Sequence, residues 1–78
     1  MEVNKLLEVL NEICDENNLE LIKFKDIEDF KSLNLKNDIG FDSINLAQLT
    51  VLIEDECDVD IFEDGLIETV GEVFEKIK

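Results

Sequence analysis

With 78 residues, the chain has the length of one small domain, which buries only about 60 % of the surface that its unfolded form exposes and has no room for a deep active-site cavity. Twenty-one carboxylates against seven lysines give a formal net charge of −14, whose sign excludes nucleic acid and anionic membrane surfaces as natural partners and favours basic proteins. With 45 % apolar residues and no proline, residues 1–78 are predicted to fold as a single domain.

The first predicted element is an amphipathic helix that ends near Asn17 and Asn18. Apolar residues recur at helical spacing, and charged residues fill the opposite face. The predicted inner face consists of Val3, Leu6, Leu7, Leu10, Ile13 and Cys14. Cys14 and the distant Cys57 both stand at apolar helix positions, which favours buried thiols over a disulfide.

A long loop is predicted next, from Asn17 to Asp42. Twenty-six residues are many for a loop in so small a protein, and the segment is too apolar to be a free linker. We therefore expect it to pack over the helices, with a helical turn around Asp26 to Leu33.

The second main helix is predicted to run from about Ser43 to Asp58. Gly40 permits a backbone turn shortly before it, and Asp42 and Ser43 are residue types that cap helix N-termini. Its wide apolar arc predicts a central helix that touches several neighbours. The arc has two lines, Ile44, Ala47 and Val51 in one and Leu46, Leu49, Leu52 and Ile53 in the other.

The remaining sequence predicts a loop and a last helix. Residues 58–68, around Gly65, favour a loop with one short helical turn. Thr69 is the expected N-cap of the last helix, and Glu72 completes a capping-box pattern with it. The expected inner face of this helix is Val70, Val73, Phe74 and Ile77. The predicted fold class is all-α, a small bundle of three main helices plus one short helix with a long first loop.

Several segments resemble the acyl carrier protein family. Residues 38–44, Asp-Ile-Gly-Phe-Asp-Ser-Ile, are similar to the family signature Asp-Leu-Gly-x-Asp-Ser-Leu, with isoleucines in place of its leucines. Residues 53–61 resemble its Leu-Glu-Glu-Glu-Phe-Asp-x-x-Ile, Leu35 stands at its apolar position before the signature, and Thr69-Val70 resembles the start of its last helix. The resemblance covers essentially the whole chain and implies an acyl-carrier-like bundle.

The resemblance implies a cofactor and a function. Ser43 would carry a covalent 4′-phosphopantetheine, transferred from coenzyme A by a phosphopantetheinyl transferase, and Asp42 would support that transfer. The arm would hold acyl or aminoacyl intermediates as thioesters and deliver them to partner enzymes of fatty-acid, polyketide or related biosynthesis. No residue of the chain is expected to be catalytic, because there is no histidine, and no lysine near Ser43, to activate the hydroxyl.

Three alternatives stay open from the sequence. Ser43 has a simple structural interpretation as a helix N-cap. Asn45 and Gln48 stand where fatty-acid carriers usually have acidic residues on the exposed edge of the second helix. This pattern is closer to carriers of peptidyl or aminoacyl (nonribosomal-peptide-type) or specialised polyketide pathways, whereas the net charge of −14 favours the fatty-acid type. From another class, the chain could be an acidic helical interaction module that is never modified.

The second helix is the expected binding surface for partner enzymes, because an enzyme that acts on the arm must bind the surface around Ser43. Partners are the phosphopantetheinyl transferase and the loading, synthase and transferase enzymes, with basic docking patches. The expected partner-binding residues are Ile44, Gln48, Val51, Glu54, Asp55 and Glu56. From Asn37 to Glu75 there are twelve carboxylates and no lysine, although a charge run is often only solvated surface.

No metal site is expected in the chain. Asp58-Val59-Asp60 begins like a calcium-binding loop, but the required glycine is missing in that frame, and a frame centred on Gly65 lacks the ligands. The sequence shows no signal peptide, lipidation motif or membrane-spanning apolar run, so a cytoplasmic location is expected. The protein is also expected to be a monomer.

Overall fold

The computed structural model describes residues 2–63, 65 and 67–77, and these ranges contain four helices and no strand. They are α1 (Val3–Glu16), α2 (Ile27–Ser32), α3 (Ser43–Cys57) and α4 (Val70–Ile77). Helix α1 packs against α3, and α2 packs against α4. The predicted all-α bundle of three main helices, one short helix and a long first loop is confirmed. Within the described ranges, no helix combines the length and apolarity needed to cross a membrane.

Helix α1 uses most of the predicted inner face. Its buried residues repeat every three or four positions: Leu6, Val9, Leu10, Ile13 and Cys14. Val9 belongs to this face although the pattern did not predict it, whereas Val3 is 36 % exposed at the helix start. Asn18 then adopts a left-handed conformation with φ of 58°, which turns the chain into the long loop.

The long first loop is packed onto the helices, as expected, and contains the short helix of the bundle. Asp26 caps α2, because its carboxylate accepts a hydrogen bond of 2.9 Å from the amide of Asp29. The fully buried ring of Phe30 stacks on Phe24 with centroids 4.6 Å apart and meets the edge of Phe74 at 6.0 Å. These aromatic contacts fix α2 against α4.

A second attachment joins the loop to the start of α4. Residues 33–35 lie antiparallel to residues 68–70 and form what we call the loop bridge. The amide of Leu35 donates to the carbonyl of Glu68 at 2.8 Å, and the amide of Val70 donates to the carbonyl of Leu33 at 3.0 Å. Phe41 donates to the carbonyl of Leu35 at 2.9 Å, so the segment just before Ser43 is connected to the same bridge.

Helix α3 buries only one of its two apolar lines. Leu46, Leu49 and Ile53 are buried, as the pattern predicts for residues that face the core. Ile44 and Val51 are instead 69 % and 62 % exposed. Helix α1 lies beside this line rather than over it, so only the other line of the predicted arc faces the core.

The segment between α3 and α4 forms turns in its described part. Asp58 ends α3 in the left-handed region, with φ of 58°. The amide of Glu63 donates to the carbonyl of Asp60 at 3.2 Å, which gives one tight turn; the rest of the predicted helical turn includes Asp64 and Leu66, which lie outside the described residues. The predicted capping box of α4 is confirmed, since Thr69 and Glu72 each accept the other's amide at 3.2 Å.

Candidate functional site

The turn before α3 requires a glycine. Gly40 has φ of 94°, a region that residues with a β-carbon rarely adopt. A β-carbon at this position would lie 3.7 Å from the Leu19 side chain, which is an ordinary contact, so the requirement is conformational rather than steric. Phe41, 3 % exposed, then anchors the turn in the core. The chain therefore enters α3 along a fixed path.

Asp42, not Ser43, caps helix α3. The Asp42 carboxylate accepts a hydrogen bond from the amide of Asn45 at 2.9 Å, and the Asn45 side-chain oxygen accepts one from the amide of Asp42 at 3.0 Å. This reciprocal pair satisfies two amides that the helix geometry leaves unpaired. The alternative in which Ser43 is the N-cap is wrong, because its neighbour already occupies that position.

Ser43 is the first residue of α3, and its side chain is exposed. Among the described residues no hydrogen bond engages its hydroxyl. Because the side chain is exposed, the oxygen is accessible to an incoming reagent. The same residues contain no group of three carboxylate or cysteine side chains that could hold a metal ion. A hydroxyl without a paired base is a weak nucleophile, so a reaction at Ser43 needs a base supplied from elsewhere.

Asn45 does not lie on the exposed edge of α3. It is only 4 % exposed, because its side chain turns back to complete the cap. The comparison of Asn45 with acidic surface residues of fatty-acid carriers is therefore wrong for this position. Gln48 is half-buried, and its side chain contacts Asn45, Asn17 and Glu16.

The other predicted partner-binding residues are exposed. Ile44 and Val51 form an apolar strip along α3, and Glu54 and Asp55 are exposed farther along the helix. Glu56 is also exposed, but its carboxylate lies 3.5 Å from the Lys5 ammonium of α1. Exposed ion pairs of this kind contribute little to stability, so Glu56 can exchange Lys5 for another cation at small cost.

Sequence reasoning missed the part of this surface that α1 supplies. Glu12 and Glu16 face the apolar strip across a shallow groove of about 440 Å³. In the sequence, Glu16 belongs to the polar face of an amphipathic helix, which is the usual place for solvated charge. No local pattern shows which polar residues of one helix lie beside the next helix, so only the packing of α1 on α3 shows the contact.

The comparisons with known proteins agree with this geometry. The family model described as the phosphopantetheine attachment site matches residues 4–75. Comparison with curated proteins and with solved structures gives no significant match. Proteins with this domain are carriers that bear a 4′-phosphopantetheine prosthetic group and interact with phosphopantetheinyl transferases and biosynthetic enzymes. Because the match spans most of the chain, the protein belongs to the phosphopantetheine attachment-site family, which is consistent with the acyl and peptidyl carrier proteins.

Proposed function

We propose that Ser43 is the attachment residue of this carrier protein and that its hydroxyl oxygen would hold 4′-phosphopantetheine through a phosphodiester bond. The observation that carries the proposal is that Asp42, not Ser43, caps α3. The adjacent Ser43 side chain is exposed, and its hydroxyl forms no hydrogen bond within the described residues. Because Ser43 is exposed at the start of α3, a group attached there would lie outside the core. When bound, the group supplies a terminal thiol for acyl or aminoacyl thioesters.

The residues of the chain hold Ser43 in place rather than perform chemistry. Gly40 and Phe41 fix the path of the backbone into α3, and the capping pair of Asp42 and Asn45 fixes the first turn. Asp42 supplies a carboxylate at the position before Ser43, where it would support the transferase reaction. The base that removes the Ser43 proton would come from the transferase, since the chain has no histidine.

The exposed surface of α3 would receive the partner enzymes. Ile44 and Val51 offer apolar contacts, and Glu54, Asp55 and Glu56 offer charge for basic patches on the partner. Apolar contacts act mainly on the dissociation rate, and exposed charges act mainly on the association rate. Gln48 lines the groove between α1 and α3 and would contact partner enzymes there.

The proposed cargo is an acyl group of fatty-acid, polyketide or related biosynthesis. A specific observation keeps an aminoacyl or peptidyl cargo as the second candidate: Gln48, on the partly exposed edge of α3, is an amide rather than a carboxylate. Loading the modified protein in parallel with an acyl-activating enzyme and with an aminoacyl-adenylating domain, and comparing the thioester yields, would separate these two cargoes.

Mass spectrometry tests the attachment directly. Incubation of the unmodified protein with coenzyme A, Mg²⁺ and a broad-specificity phosphopantetheinyl transferase should add the mass of one phosphopantetheine. Ser43→Ala should abolish the addition. Ser32→Ala is the matched control, because Ser32 is the other serine of the chain and its hydroxyl is already bonded to the carbonyl of Asp29 at 2.7 Å. Modification of the Ser43→Ala variant would contradict the assignment, and a wild-type protein that is never modified would favour the unmodified interaction module.

A further inference from the structure

The apolar strip of α3 is one side of a groove whose other side belongs to α1. Ile44, Ala47 and Val51 line the groove from α3, and Glu12 and Glu16 line it from α1. An isoleucine and a valine that are more than 60 % exposed make this an unusual surface for a chain with 36 % charged residues. The groove thus has the apolar strip of α3 on one side and the carboxylates of Glu12 and Glu16, which we call its rim, on the other.

Gln48 connects α3 to the Glu16 side of the groove through hydrogen bonds. Its side-chain oxygen accepts hydrogen bonds from Asn17 at 3.1 Å and from Asn45 at 3.3 Å, and its nitrogen donates to the Glu16 carboxylate at 3.3 Å. An amide side chain can accept and donate at the same time, whereas a carboxylate only accepts. A carboxylate at position 48 would face Glu16 with a like charge, so glutamine is the residue type that lets Glu16 stay at the groove.

Glu16 brings charge to a part of α3 that has none of its own. After the cap Asp42, the next carboxylate along α3 is Glu54, eleven positions after Ser43 and about 16 Å away along the helix axis. Gln48 is only five positions after Ser43, and it contacts Glu16 directly. Along α3, the Glu16 carboxylate of α1 therefore lies nearer to Ser43 than the acidic end of α3 does.

We propose that the groove between α1 and α3 is the docking surface for partner enzymes, with Glu16 as its charged rim and Gln48 as the residue that positions Glu16. The occupant would be a partner segment that inserts an apolar side chain between Ile44 and Val51 and sets a lysine or arginine against Glu16. The complementary charge follows from the acidic rim and from the net charge of −14. This inference rests on the proposed attachment at Ser43.

A pair of neighbouring variants tests the rim. Glu16→Gln removes the charge but keeps an oxygen that accepts the Gln48 hydrogen bond. Asp15→Asn is the matched control, because Asp15 is the adjacent exposed carboxylate of α1 and does not line the groove. The measurement is kcat/KM for phosphopantetheine transfer to each variant at low and at high salt. Glu16→Gln should lower kcat/KM about threefold or more at low salt and much less at high salt, whereas Asp15→Asn should stay within about twofold of wild type.

A separate variant tests the apolar strip. Ile44→Ala should lower kcat/KM at both salt concentrations, because loss of an apolar contact is not screened. Circular dichroism and thermal melting of each variant would verify that the fold is retained. Equal effects of Glu16→Gln and Asp15→Asn would overturn the groove proposal while leaving attachment at Ser43 intact, and absence of wild-type modification would instead overturn the attachment itself. A wild-type dimer that Val51→Lys converts to a monomer would show that a second copy occupies the groove, which would also overturn the proposal.

Discussion

At the start of α3, two adjacent residues have separable contributions to stability. Asp42 accepts the amide of Asn45, whereas the Ser43 hydroxyl has no such bond among the described residues. Asp42→Ala should therefore lower the free energy of unfolding by about 0.5–2 kcal/mol, and Ser43→Ala should change it by less than about 0.5 kcal/mol. Urea unfolding of the two unmodified variants is the measurement. A larger loss in Ser43→Ala than in Asp42→Ala would contradict the assignment of the cap.

The charge of Asp42 can be tested separately from its cap. Asp42→Asn keeps a side-chain oxygen that accepts the amide of Asn45, so stability should stay close to that of wild type. If the carboxylate supports the transferase, the rate of modification of Ser43 should nevertheless fall, by about tenfold or more on the scale of one lost charged contact. Unchanged modification rates in Asp42→Asn would show that Asp42 acts only as a cap.

The two cysteines should differ in reactivity. Burial raises the pKa of the Cys14 thiol above its ordinary value of 9.0, and the side chain is fully buried, whereas Cys57 is half-buried at the end of α3. On the unmodified protein, a thiol reagent at pH 8 should label Cys57 first and Cys14 only on unfolding. Because the unfolded chain loses the Cys14 proton at a lower pH than the folded protein does, stability should decrease as the pH rises above about 9. Cys57→Ser is the variant that isolates Cys14.

At the scale of helices, the contact between α1 and α3 near Ser43 depends on an amide. Gln48→Glu would place two carboxylates at the position where Gln48 now donates to Glu16 at 3.3 Å. We expect a loss of stability of about 0.5–1.5 kcal/mol, as for one hydrogen bond replaced by a like-charge contact. The double variant Glu16→Gln, Gln48→Glu should recover most of that loss, because it restores a donor and an acceptor. Additive effects in this double-mutant cycle would show that the two side chains are not coupled.

The helices and their ends were predictable from the sequence because their signals are local. Apolar spacing predicted α1 and α3 to within about two residues, and Thr69 with Glu72 predicted the start of α4. The same kind of pattern indicated Asp42 as a possible cap beside Ser43. A reciprocal pair of Asp42 and Asn45 was less evident, because asparagine at that helix position is an uncommon form of the capping box.

The arrangement between helices was not predictable in the same way. Periodicity groups Ile44 and Val51 with the apolar residues, but it does not show whether a neighbour covers them. Their exposure depends on where α1 lies on α3, and so does the approach of Glu16 to Gln48. Such contacts join residues about thirty positions apart, and a single sequence carries no signal for them.

At the scale of the whole protein, repulsion among carboxylates should limit stability. The protein carries a net charge of −14 on 78 residues, and salt weakens the repulsion among its carboxylates by screening them. The melting temperature should therefore rise with NaCl, and rise further with millimolar MgCl₂ at matched ionic strength. Lys5→Gln should make the dependence on salt steeper, because Lys5 lies 3.7 Å from Glu8 and 3.5 Å from Glu56. A melting temperature that is indifferent to both salts at neutral pH would contradict this expectation.

The loop bridge has a consequence for how the protein opens. The amides of Leu35, Phe41 and Val70 are all held by backbone carbonyls, although two of them lie in a segment without helix. Their protons should exchange with deuterated solvent far more slowly than is usual for a surface loop, and all three should exchange at similar rates. Local opening of the loop bridge would then release the start of α4 as well, so that the long loop and the last helix open as one cooperative unit.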